Sequence, residues 1–138
     1  MSGSPIVELL TALDRLDVSA AIALCAPDCR FAMADGCHAQ GRDAVQQLMT
    51  SFLATLRSVT HEVTSEWHQG DDWIAEMVAS YELQDWTRIE GRLRVFIVRV
   101  GPDGIREVRV YGANERPLGD RSTEYVPVRL GGRLILPL

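Results

Sequence analysis

Asp35, His61 and Tyr81 are the residues of this sequence whose chemistry and setting suit proton transfer. Asp35 stands two residues after Met33 in the stretch RFAMADGCHAQGR. On an extended strand the two side chains point the same way, so a carboxylate there could take a proton from a bound molecule. The dipeptide Asp35-Gly36 is equally a turn signal, in which the carboxylate bonds nearby backbone amides, and the residues leave both readings open. His61 lies in SVTHEVTSEWHQ on one alternating face with Val59, Val63, Ser65 and Trp67. Imidazole exchanges a proton near neutral pH and suits a proton shuttle; a hydrogen-bonded core histidine is the alternative. Tyr81 shares a face with Met77 and Ala79, where its phenol either binds a ligand oxygen or rims a pocket.

Other reactive types point elsewhere. Cys37 and His38 are adjacent, and adjacent strand residues face opposite ways, so they do not form a nucleophile and base pair. Cys25, Cys29 and Cys37 are odd in number and lack a second Cys/His pair at zinc spacing, which makes them buried or idle thiols. No metal or cofactor is implied. Of Trp67, Trp73 and Trp86, at least two are expected in the core. Arg92 and Arg94 share a face with Phe96 and Val98, while Leu93, Val95 and Ile97 occupy the other. If the arginine face lines a pocket, one guanidinium could grip an acidic ligand. If the other face does, the arginines pair with Glu76 or Glu82 on a dimer face.

These candidates must be held by a single domain. The chain has 138 residues, 46% of them hydrophobic, enough for one core. Its formal charge is -5 and its fourteen basic residues are all arginines without clustering, which argues against nucleic acid as a partner. No apolar run approaches the roughly 20 residues of a membrane span, and MSGSPIVELL lacks the features of a secretory signal, so a cytoplasmic location is expected.

Ser4-Pro5 predicts a helix start, with Ile6, Leu9, Leu10, Leu13 and Leu16 on one stripe. Asp17 caps a second helix that ends near Ala26, before Pro27. Residues 29–34 read as a strand. GRDAVQQLMTSFLATL then sets Val45, Leu48, Met49, Phe52, Leu53 and Leu56 on a helical stripe. From residue 58 the period falls to two, through SVTHEVTSEWHQ, WIAEMVASYEL, RLRVFIVRV and IREVRVYG. Three helices followed by four long strands predict an α+β domain, a curved antiparallel sheet packed on its helices.

In this order, LLTALDRLDVSAAIALCAPDCRF, GRDAVQQLM, THEVTSEWHQGDDWIAEMVASYEL and DGIREVRVYGANERPL resemble the nuclear transport factor 2-like superfamily, in its SnoaL-like and ketosteroid-isomerase-like branch. The likeness covers roughly residues 5–118. It implies a cone-shaped (cystatin-like) fold around an apolar pocket, and a homodimer through the outer sheet face. It places residues 1–118 in one domain and leaves 119–138 as a tail, either a small hairpin or an arm on a partner subunit. Aligned on the ketosteroid isomerases, the base position falls on Met33, the helix tyrosine on Leu9 and the protonated aspartate on Phe96, so that chemistry is not matched. The epoxide hydrolase pattern fails too: its last-strand aspartate falls near Val110, and Asp85 lacks a matching arginine. Asn114 is the polar residue nearest the aspartate that many relatives carry after RVY.

The resemblance favours the orientation with the arginine face inward. The cone is then expected to be lined by Leu13, Phe31, Met33, Trp67, Met77, Arg92, Arg94, Phe96, Val98, Val108, Val110 and Asn114, with Asp35, His61 and Tyr81 as candidate catalytic groups. The expected function is to bind a small, mostly apolar molecule of polyketide or steroid type. Its isomerisation, cyclisation or dehydration by acid/base chemistry is one outcome, and a non-catalytic ligand-binding or protein-interaction module is the other.

Overall fold

A computed structural model describes residues 3–34, 36–112, 128–130 and 133–135. Asp35, Asn114 and most of the tail, with its expected hairpin or arm, lie outside the described residues. Helix α1 (Pro5–Asp14) starts as its capping signals predict, the Ser4 hydroxyl accepting from the amides of Ile6 and Val7. Ile6, Leu9, Leu10 and Leu13 are buried, and each such side chain stabilises the fold by about 1.5–3 kcal/mol. Leu16 leaves the stripe: the helix has ended, and this residue, at φ 56, is exposed. Helix α2 (Val18–Ala23) is capped by Asp17 through the amide of Ala20.

It stops three residues short of the expected end because Cys25 already belongs to strand β1 (Cys25–Ala32). Pro27 is tolerated in this strand because it falls in a register shift between Cys25 and Arg30, where no ladder bond needs its missing N–H. A turn, with Met33 N–H bonded to Cys37 O at 2.7 Å, leads to the short strand β2 (His38–Gln40), which the sequence pattern does not reveal. Helix α3 (Arg42–Ala54) follows, and Leu56 opens strand β3 (Leu56–Gln69) rather than closing the helical stripe. Strands β4 (Asp72–Leu83), β5 (Arg88–Gly101) and β6 (Gly104–Gly112) complete a meander. Strands β7 (Val128–Leu130) and β8 (Arg133–Ile135) pair antiparallel with each other.

The expected α+β architecture is present: a six-stranded sheet in the order β2-β1-β6-β5-β4-β3, with α1 packed on β3, β4 and β5. One pairing differs from an all-antiparallel sheet. β1 runs parallel to β6, Phe31 opposite Val108. Three successive hairpins from β3 fix the direction of β6, and strand periodicity says nothing about how a distant strand will meet it. Register shifts at Val63/Ser65, Ala79/Tyr81 and Arg99/Val100 bend the sheet, as bulges do, and its concave face receives α1 and α3.

The start of β6 passes very close to the α2–β1 junction. Ile105 N–H bonds Leu24 O at 2.9 Å, and Gly104 sits at φ +122, where a Cβ would stand 2.6 Å from that same carbonyl. Gly104→Ala is expected to destabilise the protein by about 1–3 kcal/mol, measured by urea unfolding.

Candidate functional site

Between the concave face and the helices lies a cavity of about 270 Å³. Its two walls differ in chemistry. The helix wall is apolar: Leu13 from α1 and Leu48, Met49 and Phe52 from α3. Thr55, just past α3, adds a hydroxyl that is spent on Phe52 O at 2.7 Å. The sheet wall carries the polar groups, His61 from β3, Tyr81 from β4 and Arg94 from β5, among Phe31, Met33, Phe96, Val108 and Val110.

His61 is not alone. Its Nδ1 lies 2.6 Å from Oδ1 of Asp14, and its backbone N–H donates to Oδ2 of the same carboxylate at 3.2 Å. The ring is 5% exposed and meets Phe96 edge-on, with centroids 6.0 Å apart. With Nδ1 engaged, Nε2 is the nitrogen available to a molecule in the cavity. If Nδ1 carries the proton, Nε2 is an acceptor; if both nitrogens are protonated, it is a donor. Asp14 went unnoticed in the sequence reading, although a signal exists. It is the last residue of α1, at the negative end of the helix dipole, and no basic residue occupies that last turn. A carboxylate there is unfavourable without a partner, so it invites a search for one.

Tyr81 lines the cavity, its ring edge-on to Phe52 at 6.2 Å. Arg94 is 5% exposed, with Nη1 donating to Leu93 O at 2.9 Å and its guanidinium carbon 6.0 Å from the Tyr81 ring centroid. The strand orientation that the residues alone left open is thereby settled: Arg94, Phe96 and Val98 face in, while Leu93 is 73% exposed.

Several expected lining residues are elsewhere. Trp67 is 52% exposed: the shift at Val63/Ser65 pairs Ser65 with Glu76 and Trp67 with Ile74, both on the outer face. Arg92 does not reach the cavity. Arg92 keeps its pairing with the inward Ala79, and an extra β5 residue between the pairs Ala79/Arg92 and Tyr81/Ile89 changes the alternation beyond it and brings Ile89 to the cavity wall. Met77 and Val98 are fully buried in the core and leave no surface to the cavity. Asp35 and Asn114 lie outside the described residues.

Only one tryptophan packs against the core, Trp73, stacked on His68 at 3.8 Å. Trp86 is 63% exposed beneath the Arg57 guanidinium, so the expectation of two core tryptophans fails. Among the described residues no group of three or more His, Cys, Asp or Glu is placed to hold a metal ion. No described helix is long and apolar enough to cross a membrane.

A family model for the SnoaL-like domain matches residues 6–110. No curated protein matches the chain. Among solved structures, a protein of ketosteroid isomerase-like fold from Catenulispora acidiphila, in complex with trimethylamine, is 17% identical. The match covers 82% of this chain and 88% of that one, with a TM-score of 0.73. TerC co-crystallized with polyporic acid is 10% identical over 79% and 88% of the two chains, with a TM-score of 0.69. An LEH-like epoxide hydrolase of M. tuberculosis is 14% identical over 79% and 80%, with a TM-score of 0.69. At these identities the likeness is one of fold.

The thiols take no part in the cavity. Burial pushes Cys25 up to about 12 and raises Cys29, whereas Cys37 is exposed. A thiol reagent such as Ellman's is expected to modify Cys37 alone in the native protein and all three cysteines after unfolding.

Proposed function

The chain belongs to the SnoaL-like domain family, and from that premise we propose that its cavity binds a small, mostly apolar molecule and moves a proton on it, in an isomerisation, cyclisation or dehydration. The observation that carries this reading is the Asp14–His61 pair at the wall of an apolar cavity. Asp14 holds the ring with Nδ1 toward the helix, so the neutral imidazole presents a lone pair at Nε2. That nitrogen takes a proton from the bound molecule, and the imidazolium so formed is stabilised by the carboxylate beside it. Nε2 then returns the proton to another carbon, in isomerisation or cyclisation, or to a departing hydroxyl, in dehydration. Tyr81 donates its phenolic hydrogen to the oxygen on which charge develops.

The departures at Met33, Leu9 and Phe96 speak against the ketosteroid isomerase mechanism and leave this pair as the proton carrier. Ligands printed for proteins of similar fold, such as polyporic acid with TerC, support the choice of a small organic ligand. Its polyketide or steroid character is carried over from the family alone.

The working unit is a homodimer joined through the outer sheet face. In support, Ile74, Leu93 and Tyr111 are exposed on that face, and Trp67 pairs with Ile74 beside them. Glu62 on β3, with Arg99 on β5 and Arg109 on β6, offers opposite charges to a two-fold copy.

His61→Gln is expected to lower turnover of an identified substrate about 10²- to 10⁴-fold. Asp14→Asn is expected to lose a large part of the same factor, and the double variant little more than His61→Gln alone, because the pair acts as one unit. Unchanged turnover in His61→Gln would sink the catalytic reading and leave a binding module. Sedimentation equilibrium is expected to give twice the chain mass, and Leu93→Arg to give monomers.

A further inference from the structure

We infer that the cavity has a second compartment, beyond a contact between Phe52 and Tyr81, which takes a short unbranched hydrocarbon chain on a ligand whose oxygen-bearing head lies at His61 and Tyr81. This rests on the reading of the cavity as a ligand site and adds the shape of the molecule it takes. Strand register sets out the two compartments. Tyr81 pairs with Val59 on β3, between the pair His61/Ala79 on one side and the pair Leu56/Leu83 on the other. His61, Tyr81, Leu56 and Leu83 all line the cavity. The phenol ring therefore stands between an end that carries the imidazole and an end that is apolar.

The opposite wall reaches that ring. Phe52 belongs to α3 and Tyr81 to β4, yet their rings meet edge to face across the cavity, with centroids 6.2 Å apart and planes at 83°. Contact between side chains of facing walls narrows the space at that point. An extended chain passes a narrowing that holds back a branched group. The whole cavity, at about 270 Å³, falls just below the usual range of small-molecule sites, roughly 300–1,000 Å³, so head and chain together are small.

Beyond the narrowing the described lining is Thr55, Leu56, Leu83 and Ile89, and the polar groups along this end are spent within the protein. The Thr55 hydroxyl and N–H both donate to Phe52 O, and Thr55 O accepts from the Gln84 N–H at 3.2 Å. Leu83 N–H donates to Thr87 O at 2.8 Å, and Leu83 O accepts from the Trp86 N–H at 3.0 Å. The Gln84 side chain completes the set, its Nε2 donating to Ala54 O at 3.3 Å and Leu56 O at 2.9 Å. A hydrocarbon placed here breaks no hydrogen bond, whereas a polar substituent would lose water and gain no partner from these groups. The end is also braced. Gln84 ties the β4–β5 turn to the α3–β3 junction, and the Arg57 guanidinium lies over the Trp86 ring, 3.4 Å from its centroid.

The test is calorimetric titration of the full chain with phenyl ketones: acetophenone, propiophenone, butyrophenone, valerophenone, and pivalophenone, the branched isomer of valerophenone. Affinity is expected to rise about two- to fourfold with each methylene from acetophenone to valerophenone. Valerophenone is expected to bind at least about fivefold tighter than pivalophenone. Ile89→Phe fills the compartment and Leu83→Gln makes it polar, so each is expected to bring the ratio of valerophenone to acetophenone affinity toward one. Phe52→Leu is expected to shrink the gap between the two isomers, with thermal melts reporting that each variant is folded. Val7→Thr, which alters an exposed apolar residue of α1 away from the cavity, is expected to keep both the rise and the gap. A series bound with equal affinity overturns the chain compartment but not the ligand site, as does a rise that survives both Ile89→Phe and Leu83→Gln. Equal binding of the two isomers overturns the narrow entry and with it the unbranched chain. Failure of every ketone to bind overturns the ligand site as well.

Discussion

One carboxylate ties the site to the scaffold. Asp14 receives the backbone N–H of His61 on one oxygen and faces the ring nitrogen with the other, so the end of α1 is fastened to the middle of β3. Hydrogen bonds involving a charged group are worth about 1.5–3 kcal/mol each, enough to offset the unfavourable placement of a negative charge at a helix C-terminus. The helix held in this way lies on β3, β4 and β5 and closes one side of the cavity. Packing and chemistry therefore share a contact: the bond that sets the helix on the sheet also decides which imidazole nitrogen is left for a ligand.

Much of this was legible from periodicity. The α1 face of Ile6, Leu9, Leu10 and Leu13, the α3 stripe and the four long strands follow directly from spacings of three to four and of two. His61, Tyr81, Arg94 and Phe96 were assigned to the inward face, and each lines the cavity. What periodicity lacks is any mark of a bulge. A one-residue shift exchanges the two faces of a strand, and two of the shifts in this sheet turn Trp67 out and bring Ile89 in. Direction was hidden for a related reason, since β1 meets β6 only after the meander has been built, and nothing local in Cys25–Ala32 records that meeting. Asp14 was missed because a charge beside an apolar stripe reads as the solvated edge of a helix until its partner is known.

The width of the α3 stripe carries a further message. Val45, Met49 and Leu53 are enough to seat this helix, and all three are buried. Leu48 and Phe52 extend the apolar surface beyond what the seat requires, and both face the cavity. A stripe broader than its packing needs is what a helix shows when one flank covers an open space. The sheet supplies the complement, with the polar groups of His61, Tyr81 and Arg94 on three adjacent strands, so the two walls of the cavity would orient any molecule with one apolar and one polar side.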